Sequence, residues 1–382
     1  MTKWDKDYLE LCKRILKEGK EVENRTGINT IKVPSHSFHF DLSKEFPILQ
    51  TKQLFSRQAI IEMLWIWQMA SNDVRELHSR DVHIWDEWMV DEDGIYRIYE
   101  PNGEYDEKKE VVVMDPLSVP VDDPFGEYNE FKPKLDENGK IMTAKSKIPG
   151  RTIRMAKYYG KEYAYTIGTA YGFIVNRYQH TKNLISNIKN NPNDRRKVKS
   201  LWQDEFLRTA VLPSCVWSTE WDITNGKLNA WVHQRSCDVP LGLPFNVTQY
   251  ATLLSLLAKV SDLEPGTLDW SIKDAHIYVN QIEGIKEQIE RGNILEDISK
   301  MKKSDLILLK QKLEDEQFEH GITKENDTML KATEIVLDKE KPYLWINPEI
   351  KDFYDYDNSK DLNDIKVKQY KHMGKIKFPI AQ

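Results

Sequence analysis

The sequence predicts an α/β fold of the α+β kind, and three observations carry that expectation. Apolar side chains recur at helical spacing near the N-terminus, residues 55–69 form an apolar stretch of helical length, and residues 216–233 read as two strands joined at Asn225-Gly226. A chain of 382 residues with both periods suits one large core, residues 1–382, interrupted by insertions.

The elements follow in order. Trp4, Tyr8, Leu11, Cys12 and Ile15 share one helical face, which makes Cys12 a small apolar core group. Asn24-Arg25-Thr26-Gly27 breaks that pattern as a turn, and residues 31–40 alternate in part, as a strand does. The helix over 55–69 is apolar nearly all round, so it is expected to be buried, with Glu62 in its middle. A carboxyl in that position is paired with Arg or Lys, hydrogen-bonded through water, or protonated, and the last two make it a candidate for proton transfer.

Residues 95–165 mix Pro101, Pro116, Pro120, Pro124, Pro133 and Pro149 with charges and show no sustained period, which reads as a surface insertion. A second insertion, helical and mostly solvated, is expected at 286–340, where Lys, Glu, Asp and Leu dominate. Between them, a short helix over 180–189 ends at Asn190-Asn191-Pro192-Asn193, and Arg195-Arg196 leads into a strand over 197–202. The Asn225-Gly226 hairpin has strands at 216–223 and 227–233, with Cys215 at its mouth. Asn246 precedes a helix whose face is Tyr250, Leu253, Leu254 and Leu257, and is a candidate N-cap. Glu264-Pro265-Gly266 ends that region, and residues 267–276 resume as strand or loop.

Composition narrows the function classes. A formal net charge of −6 argues against a surface that grips duplex nucleic acid through its phosphates, so no specific nucleic acid is expected as partner. No run reaches the roughly 18 apolar residues of a membrane span. Met1-Thr2-Lys3-Trp4-Asp5 has no signal-peptide core. Three cysteines without metal-ligand spacing point to a reduced, cytoplasmic protein with no bound metal.

The chemistry concentrates in Leu212-Pro213-Ser214-Cys215 and in the run from Gln234 through Arg235, Ser236, Cys237, Asp238 and Pro240 to Asn246. A thiolate adds readily to electron-poor carbon once a nearby cation lowers its pKa, and Arg235 on the neighbouring strand is placed to do so. By itself Cys215 is equally a core residue, Arg195-Arg196 solvated surface, Trp85 and Trp88 core, and His276 a structural histidine.

These runs resemble the thymidylate synthase family, in its folate-dependent form without flavin. The likeness extends to Asn24-Arg25-Thr26-Gly27, Phe46-Pro47-Ile48-Leu49-Gln50-Thr51-Lys52, Ile84-Trp85-Asp86-Glu87-Trp88, Ile167-Gly168-Thr169-Ala170-Tyr171-Gly172, Asp194-Arg195-Arg196 and Asp274-Ala275-His276-Ile277-Tyr278. The resemblance implies a large mixed sheet packed at a homodimer interface with surrounding helices. It implies that Cys215 attacks C6 of the uracil of dUMP, with 5,10-methylenetetrahydrofolate as the one-carbon donor and no metal. Glu62, Tyr171 and Asp238 match groups that organise water, move protons and face the pterin. Arg25, Arg235 and Ser236 match phosphate ligands, and Arg195 and Arg196 match the pair supplied across the dimer. Gln234 and Asn246 fall on the base, His276 and Tyr278 on the sugar hydroxyl. Lys52, Ile84, Trp85, Trp88, Asp238, Leu241, Gly242, Phe245 and Gln382 fall on the folate.

Three departures bear on the product. Val216 follows the nucleophile where the family generally has His, Trp67 stands where a smaller apolar residue is common, and the chain ends in Gln382 where an aliphatic residue is usual. Exclusion of water favours hydride transfer to the methylene intermediate, so a polar tail and an altered wall suggest water as the final nucleophile. The expectation is therefore a hydroxymethyltransferase, similar to the bacteriophage deoxyuridylate hydroxymethylases, working in the host cytoplasm if phage-encoded. The alternatives are a methyltransferase making dTMP, and a non-catalytic homologue that binds a nucleotide or RNA.

Overall fold

The helical period at the N-terminus produces α1 (Lys3–Glu18), capped by the Thr2 hydroxyl, which accepts from Asp5 N at 3.0 Å. In the computed structural model, which describes all residues except 101–105, 107, 126–129, 339 and 381–382, α1 buries Trp4, Tyr8, Leu11, Cys12 and Ile15. Asp5, also fully buried, accepts from Gln50 N, Thr51 N and the Thr51 hydroxyl, which ties α1 to the loop carrying Lys52. A short β1 (Lys20–Val22) turns back antiparallel onto β2 (Thr30–Asp41). The apolar run then forms α2 (Ser56–Trp67), buried from Ala59 to Trp67 as its composition requires, followed by α3 (Val74–His78).

Residues 95–165 are more regular than their composition suggests. They build a separate sheet from β3 (Ile95–Tyr99), β4 (Glu110–Asp115), β5 (Lys132–Pro133), β6 (Thr143–Lys145) and β7 (Ile153–Tyr158), in the order β3-β7-β4-β5 with β6 also on β4. Its buried clusters are small: Ile95, Val113, Ala144, Ile153 and Ala156 in one, and Tyr96 and Ile98 with Val90 and Tyr159 in the other. So few inward positions, spread over short strands, leave no period for sequence inspection to find.

Next come α4 (Gly172–Arg177), α5 (His180–Asn190) and β8 (Val198–Ser200), shorter than the expected strand over 197–202. The hairpin is as predicted: β9 (Val216–Thr224) and β10 (Lys227–Gln234) pair antiparallel around Asn225 and Gly226, whose φ values of 52° and 74° suit the turn that matches strand twist. After β11 (Cys237–Asp238), α6 (Gly242–Lys259) crosses to β12 (Glu264–Tyr278), which lies parallel to β10. The main sheet runs β1-β2-β12-β10-β9-β8, with β11 added on β12. Two expectations are corrected. The helix starts at Gly242, so Asn246 is an interior residue and no N-cap, and Glu264-Pro265-Gly266 opens a fifteen-residue strand.

The C-terminal third holds α7 (Ile282–Ser299), α8 (Lys303–His320), α9 (Lys324–Leu337), and the hairpin of β13 (Tyr343–Ile346) and β14 (Ile365–Lys368). The solvated character expected of 286–340 holds for α8 but not for α7, which buries Ile285, Gln288, Arg291 and Leu295. Gly292 lets α7 approach α1 closely there: a Cβ would lie 2.2 Å from the end of the Leu9 side chain, which would have to shift. Among the described residues no helix is long and apolar enough to cross a membrane.

Candidate active site

The main sheet delivers Cys215 immediately before β9, facing the end of β10. Arg235 N donates to Cys215 O at 2.9 Å, and Cys215 N donates to the Tyr171 hydroxyl at 2.9 Å, so the Cys215 backbone is held from both sides. The Arg235 guanidinium donates to Ser214 O (3.0 Å) and Pro213 O (2.6 Å) and lies 5.2 Å from the Trp202 ring centroid. Burial pushes the Cys12 thiol up to about 12 and holds Cys237 well above its ordinary value, whereas Cys215 is partly exposed. Cys215 is thus the thiol that a substrate can reach.

Tyr171 reaches Cys215 from a strained turn, with φ +46° and ψ −101° at the N-terminus of α4. Gly172 permits it: a Cβ there would lie 1.8 Å from Ser71 O. The ring stands edge-on to Trp85 at 5.6 Å, and burial keeps its hydroxyl protonated, well above the usual phenol range.

Among the described residues Glu62 has no Arg or Lys partner. The Trp85 indole N–H donates to its Oε1 at 2.7 Å and the Gln249 amide to its Oε2 at 2.5 Å. Burial raises its pKa to about 7, against the opposing pull of those two donors. It lines a cavity of about 50 Å³ together with Trp67, Trp85, Tyr171, Val216 and Asn246. A group that titrates near neutrality at the edge of a cavity is suited to take and return a proton. Two of the three departures face this cavity: Val216 and Trp67 are buried in its wall, with Trp67 edge-on to Tyr250 at 6.1 Å.

Asn246 projects from α6 toward the same space, accepting from Gln234 Nε2 (3.2 Å) and donating to Gln249 Oε1 (3.0 Å). His276 and Tyr278 lie close, with ring centroids 5.2 Å apart. His276 Nδ1 lies 3.1 Å from Asp274 Oδ1, which with Lys32 holds the Asp274 carboxyl down at about 2. Ser236 is half-buried and Arg25 exposed. Arg195 and Arg196 are exposed on the loop before β8, where Arg196 pairs with Asp194 at 2.9 Å.

Asp238 organises the other side. It accepts from Leu241 N (3.1 Å) and from Gln281 Nε2 (3.2 Å), and burial raises its pKa. Gly242 and Phe245 follow on the first turns of α6. Trp85 and Trp88 stand edge to face at 5.6 Å, with Ile84 half-buried beside them. Lys52 is buried, donates to Pro240 O, and lies 4.7 Å from the Phe378 ring centroid, and burial lowers its pKa to about 8. Gln281 also donates to Pro379 O at 3.1 Å, which fastens the C-terminal tail beside Asp238. Gln382 lies outside the described residues.

Sequence inspection missed Gln249, Trp270 and Gln281. The signal for Gln249 was its spacing: three residues after Asn246, it falls on the same helix face. Trp270 and Gln281 come from distant segments, and their role depends on sheet register and tail position.

Comparison with known proteins gives a consistent result. A family model described as thymidylate synthase matches residues 6–320. The chain is similar to the thymidylate synthase of Clostridium beijerinckii, 34% identical over 381 residues and covering all of both chains. It is likewise similar to the thymidylate synthase of Bacillus phage phi3T, 30% identical over 400 residues, again covering all of both. The solved structure of thermostable thymidylate synthase A from Bacillus subtilis aligns with all of this chain and all of that one, at a TM-score of 0.63 and 29% identity.

Proposed function

As this chain belongs to the thymidylate synthase family, we propose that it transfers the one-carbon unit of 5,10-methylenetetrahydrofolate to C5 of dUMP and completes the transfer with hydride, giving dTMP and dihydrofolate. The observation that carries this reading is the convergence of Glu62, Tyr171 and Asn246 from three different parts of the fold around one cavity, with Cys215, from a fourth, bonded through its backbone to Tyr171 at the cavity's edge.

In this reading the Cys215 thiolate adds to C6 of the uracil, and C5 then attacks the methylene carbon. Loss of the C5 proton frees tetrahydrofolate and leaves an exocyclic methylene, which takes hydride from that tetrahydrofolate, leaving dihydrofolate, as the Cys215–C6 bond breaks and the thiolate returns. Tyr171 fixes the nucleophile's backbone through its bond to Cys215 N. Glu62, poised near neutrality, serves proton transfers at the base. Arg235, with Arg25, Ser236 and the partner copy's equivalents of Arg195 and Arg196, binds the phosphate; His276 and Tyr278 bind the sugar hydroxyl. Trp85, Trp88 and Ile84 wall the folate, with Asp238 toward the pterin and Lys52 beside the tail. A homodimer is part of this proposal, and the outward face of the main sheet suits it, with Trp217 and Trp231 both exposed beside His233.

Methylation takes precedence over the hydroxymethylation suggested by Val216, Trp67 and Gln382. The relatives described, one of them from a phage, are named thymidylate synthase. The wall at Val216 and Trp67 is apolar, and both Glu62 oxygens already accept from protein donors, so this wall offers little to hold an attacking water. The hydroxymethyl product is the second reading, favoured by the absence of a polar side chain at Val216 next to the nucleophile. Incubation with dUMP and the folate, read by mass spectrometry, separates them. The expected products are dTMP and dihydrofolate in equal amounts; hydroxymethyl-dUMP with tetrahydrofolate would overturn the assignment, and no turnover with any pyrimidine nucleotide would favour a binding protein.

A further inference from the structure

Six side chains form one directed hydrogen-bond chain through the core of the site. Trp270 Nε1 donates to Gln234 Oε1 (3.0 Å), Gln234 Nε2 to Asn246 Oδ1 (3.2 Å), Asn246 Nδ2 to Gln249 Oε1 (3.0 Å), and Gln249 Nε2 to Glu62 Oε2 (2.5 Å). Trp85 Nε1 closes the far end on Glu62 Oε1 at 2.7 Å. An indole N–H can only donate. Trp270 therefore fixes the amides from one end, Gln234 first and then Asn246, while Glu62, accepting on both oxygens, fixes Gln249 and through it Asn246 from the other. Turning any one amide over would set nitrogen against nitrogen and oxygen against oxygen at its neighbours, in a region where Gln234, Gln249 and Glu62 are at least nine-tenths buried.

Asn246 spends one proton and one lone pair in this chain, which leaves one N–H and one oxygen lone pair for a ligand. That ordered pair fits O4 and N3–H of uracil and opposes the N4 amine and bare N3 of cytosine. The other end of the chain is the carboxyl. Val216, beside Cys215, has no donor to offer, and Gln249 reaches Glu62 directly from α6.

We propose that Gln249 is a positioning residue with two functions: it locks the Asn246 amide in the uracil-reading orientation, and it holds Glu62 by a direct N–H···O bond that joins the base reader to the proton-handling carboxyl. This rests on dUMP being the substrate. The groups that face Glu62 are Trp85, Gln249, Tyr171 and Tyr250, none of them a charge at neutral pH.

Three variants separate the two functions from a merely structural one. Gln249→Glu still accepts from Asn246 but, when ionised, cannot donate to Glu62. It is expected to keep the preference for dUMP over dCMP, measured by calorimetry, while the limb of the pH–rate profile that reports Glu62 rises by about one pH unit or more. Trp270→Phe frees the opposite end, so the preference is expected to fall roughly tenfold with the limb unmoved. Gln249→Leu is expected to change both. Should the leucine variant fail to fold, the opposed signatures of the other two still decide. The inference is overturned if Gln249→Glu and Trp270→Phe shift the same quantity, if neither differs from wild type, or if the wild-type chain binds dUMP and dCMP equally. A wild-type chain that prefers dUMP but forms no dTMP would instead overturn the proposed function, because the calorimetric preference does not require turnover.

Discussion

The α2–α6 helix pair and the α8–α9 hairpin satisfy their polar groups in opposite ways. Glu62 of α2 meets Gln249 of α6 inside the protein, through a bond whose two ends are set by Trp85 and Asn246. On the hairpin, Lys310 lies 3.4 Å from Glu314 and 3.5 Å from Glu334, and Lys312 lies 3.6 Å from Glu316, all on partly or largely exposed side chains. Water can replace a lost partner in the hairpin and cannot in the helix pair. Removing one group therefore leaves a buried orphan in the first region and almost nothing in the second. Function is accordingly expected to be brittle along the Trp270–Glu62 chain and tolerant along α8.

The largest expected effect is at the proposed nucleophile. Cys215→Ala removes the covalent route, and turnover of dUMP is expected to fall by more than about 10³-fold with dUMP affinity changed only a few-fold. Rates of dTMP formation and calorimetric affinities check this together. Turnover that survives the substitution would contradict covalent catalysis altogether.

Glu62→Gln comes next, with turnover expected to drop about 10²–10⁴-fold. A glutamine at 62 must turn an NH2 toward either Trp85 or Gln249, both of which already donate, so the chain must break or reverse. The same variant tests pH linkage. Burial raises the Glu62 pKa from 4.5 to about 7, so the folded state holds a proton that the unfolded state releases between those values. Wild-type stability therefore declines as pH rises through that window, by about 3 kcal/mol from this group. Denaturant titrations at pH 5 and pH 8 should show a steeper decline in wild type than in Glu62→Gln, and parallel curves would show that Glu62 is not held protonated.

How much of this was legible in the sequence follows from the same contrast. Residues 216–234 were readable because local chemistry sets both strands and turn: Asn225 and Gly226 adopt positive φ, and period-two burial runs through Ala230, Val232 and Gln234. Cys215, Arg235 and Asn246 stood out through family resemblance, and their convergence needed only the hairpin and one crossover helix. Trp270 was invisible as a site residue because its indole acts through β12–β10 register, where it pairs with Val232. Glu62 was recognised as anomalous, yet its partners were not, since neutral amide and indole donors leave no charge pattern to search for. The sheet over 95–165 escaped because its strands are short and its buried side chains are split between two small clusters.

Gln281 lies between the two regions in expected effect, because it fastens the tail and nothing in the chain to Glu62. Its amide bonds to Asp238 at 3.2 Å and to Pro379 O at 3.1 Å. Gln281→Ala is expected to raise the KM for folate roughly tenfold and to leave dUMP affinity unchanged, the loss being about one hydrogen bond's contribution at the closing step. A looser tail also admits water to the methylene intermediate, so mass spectrometry should detect some hydroxymethyl-dUMP beside dTMP. Equal loss of dUMP affinity would place Gln281 in the nucleotide site.

The smallest effects belong to α8, and they test whether the hairpin is as tolerant as its chemistry implies. Leu308 and Phe318 are 70% and 93% exposed, whereas Leu306 and Leu313 face inward. Phe318→Ser is expected to change stability by no more than about 0.5 kcal/mol and kcat not at all. Leu306→Ala, by contrast, opens a cavity in the cluster that also holds Leu295 of α7 and Met373 of the tail, and is expected to cost about 2 kcal/mol. Because Met373 N donates to Gln50 O at 2.8 Å, two residues from Lys52, that inner face links the hairpin to the tail's seat. Thermal unfolding paired with folate KM separates the cases. A rise in KM for Leu306→Ala but not Phe318→Ser would show that the hairpin braces the closing tail through Met373, and a kcat change for Phe318→Ser would mean that the exposed face of α8 is covered in the working assembly.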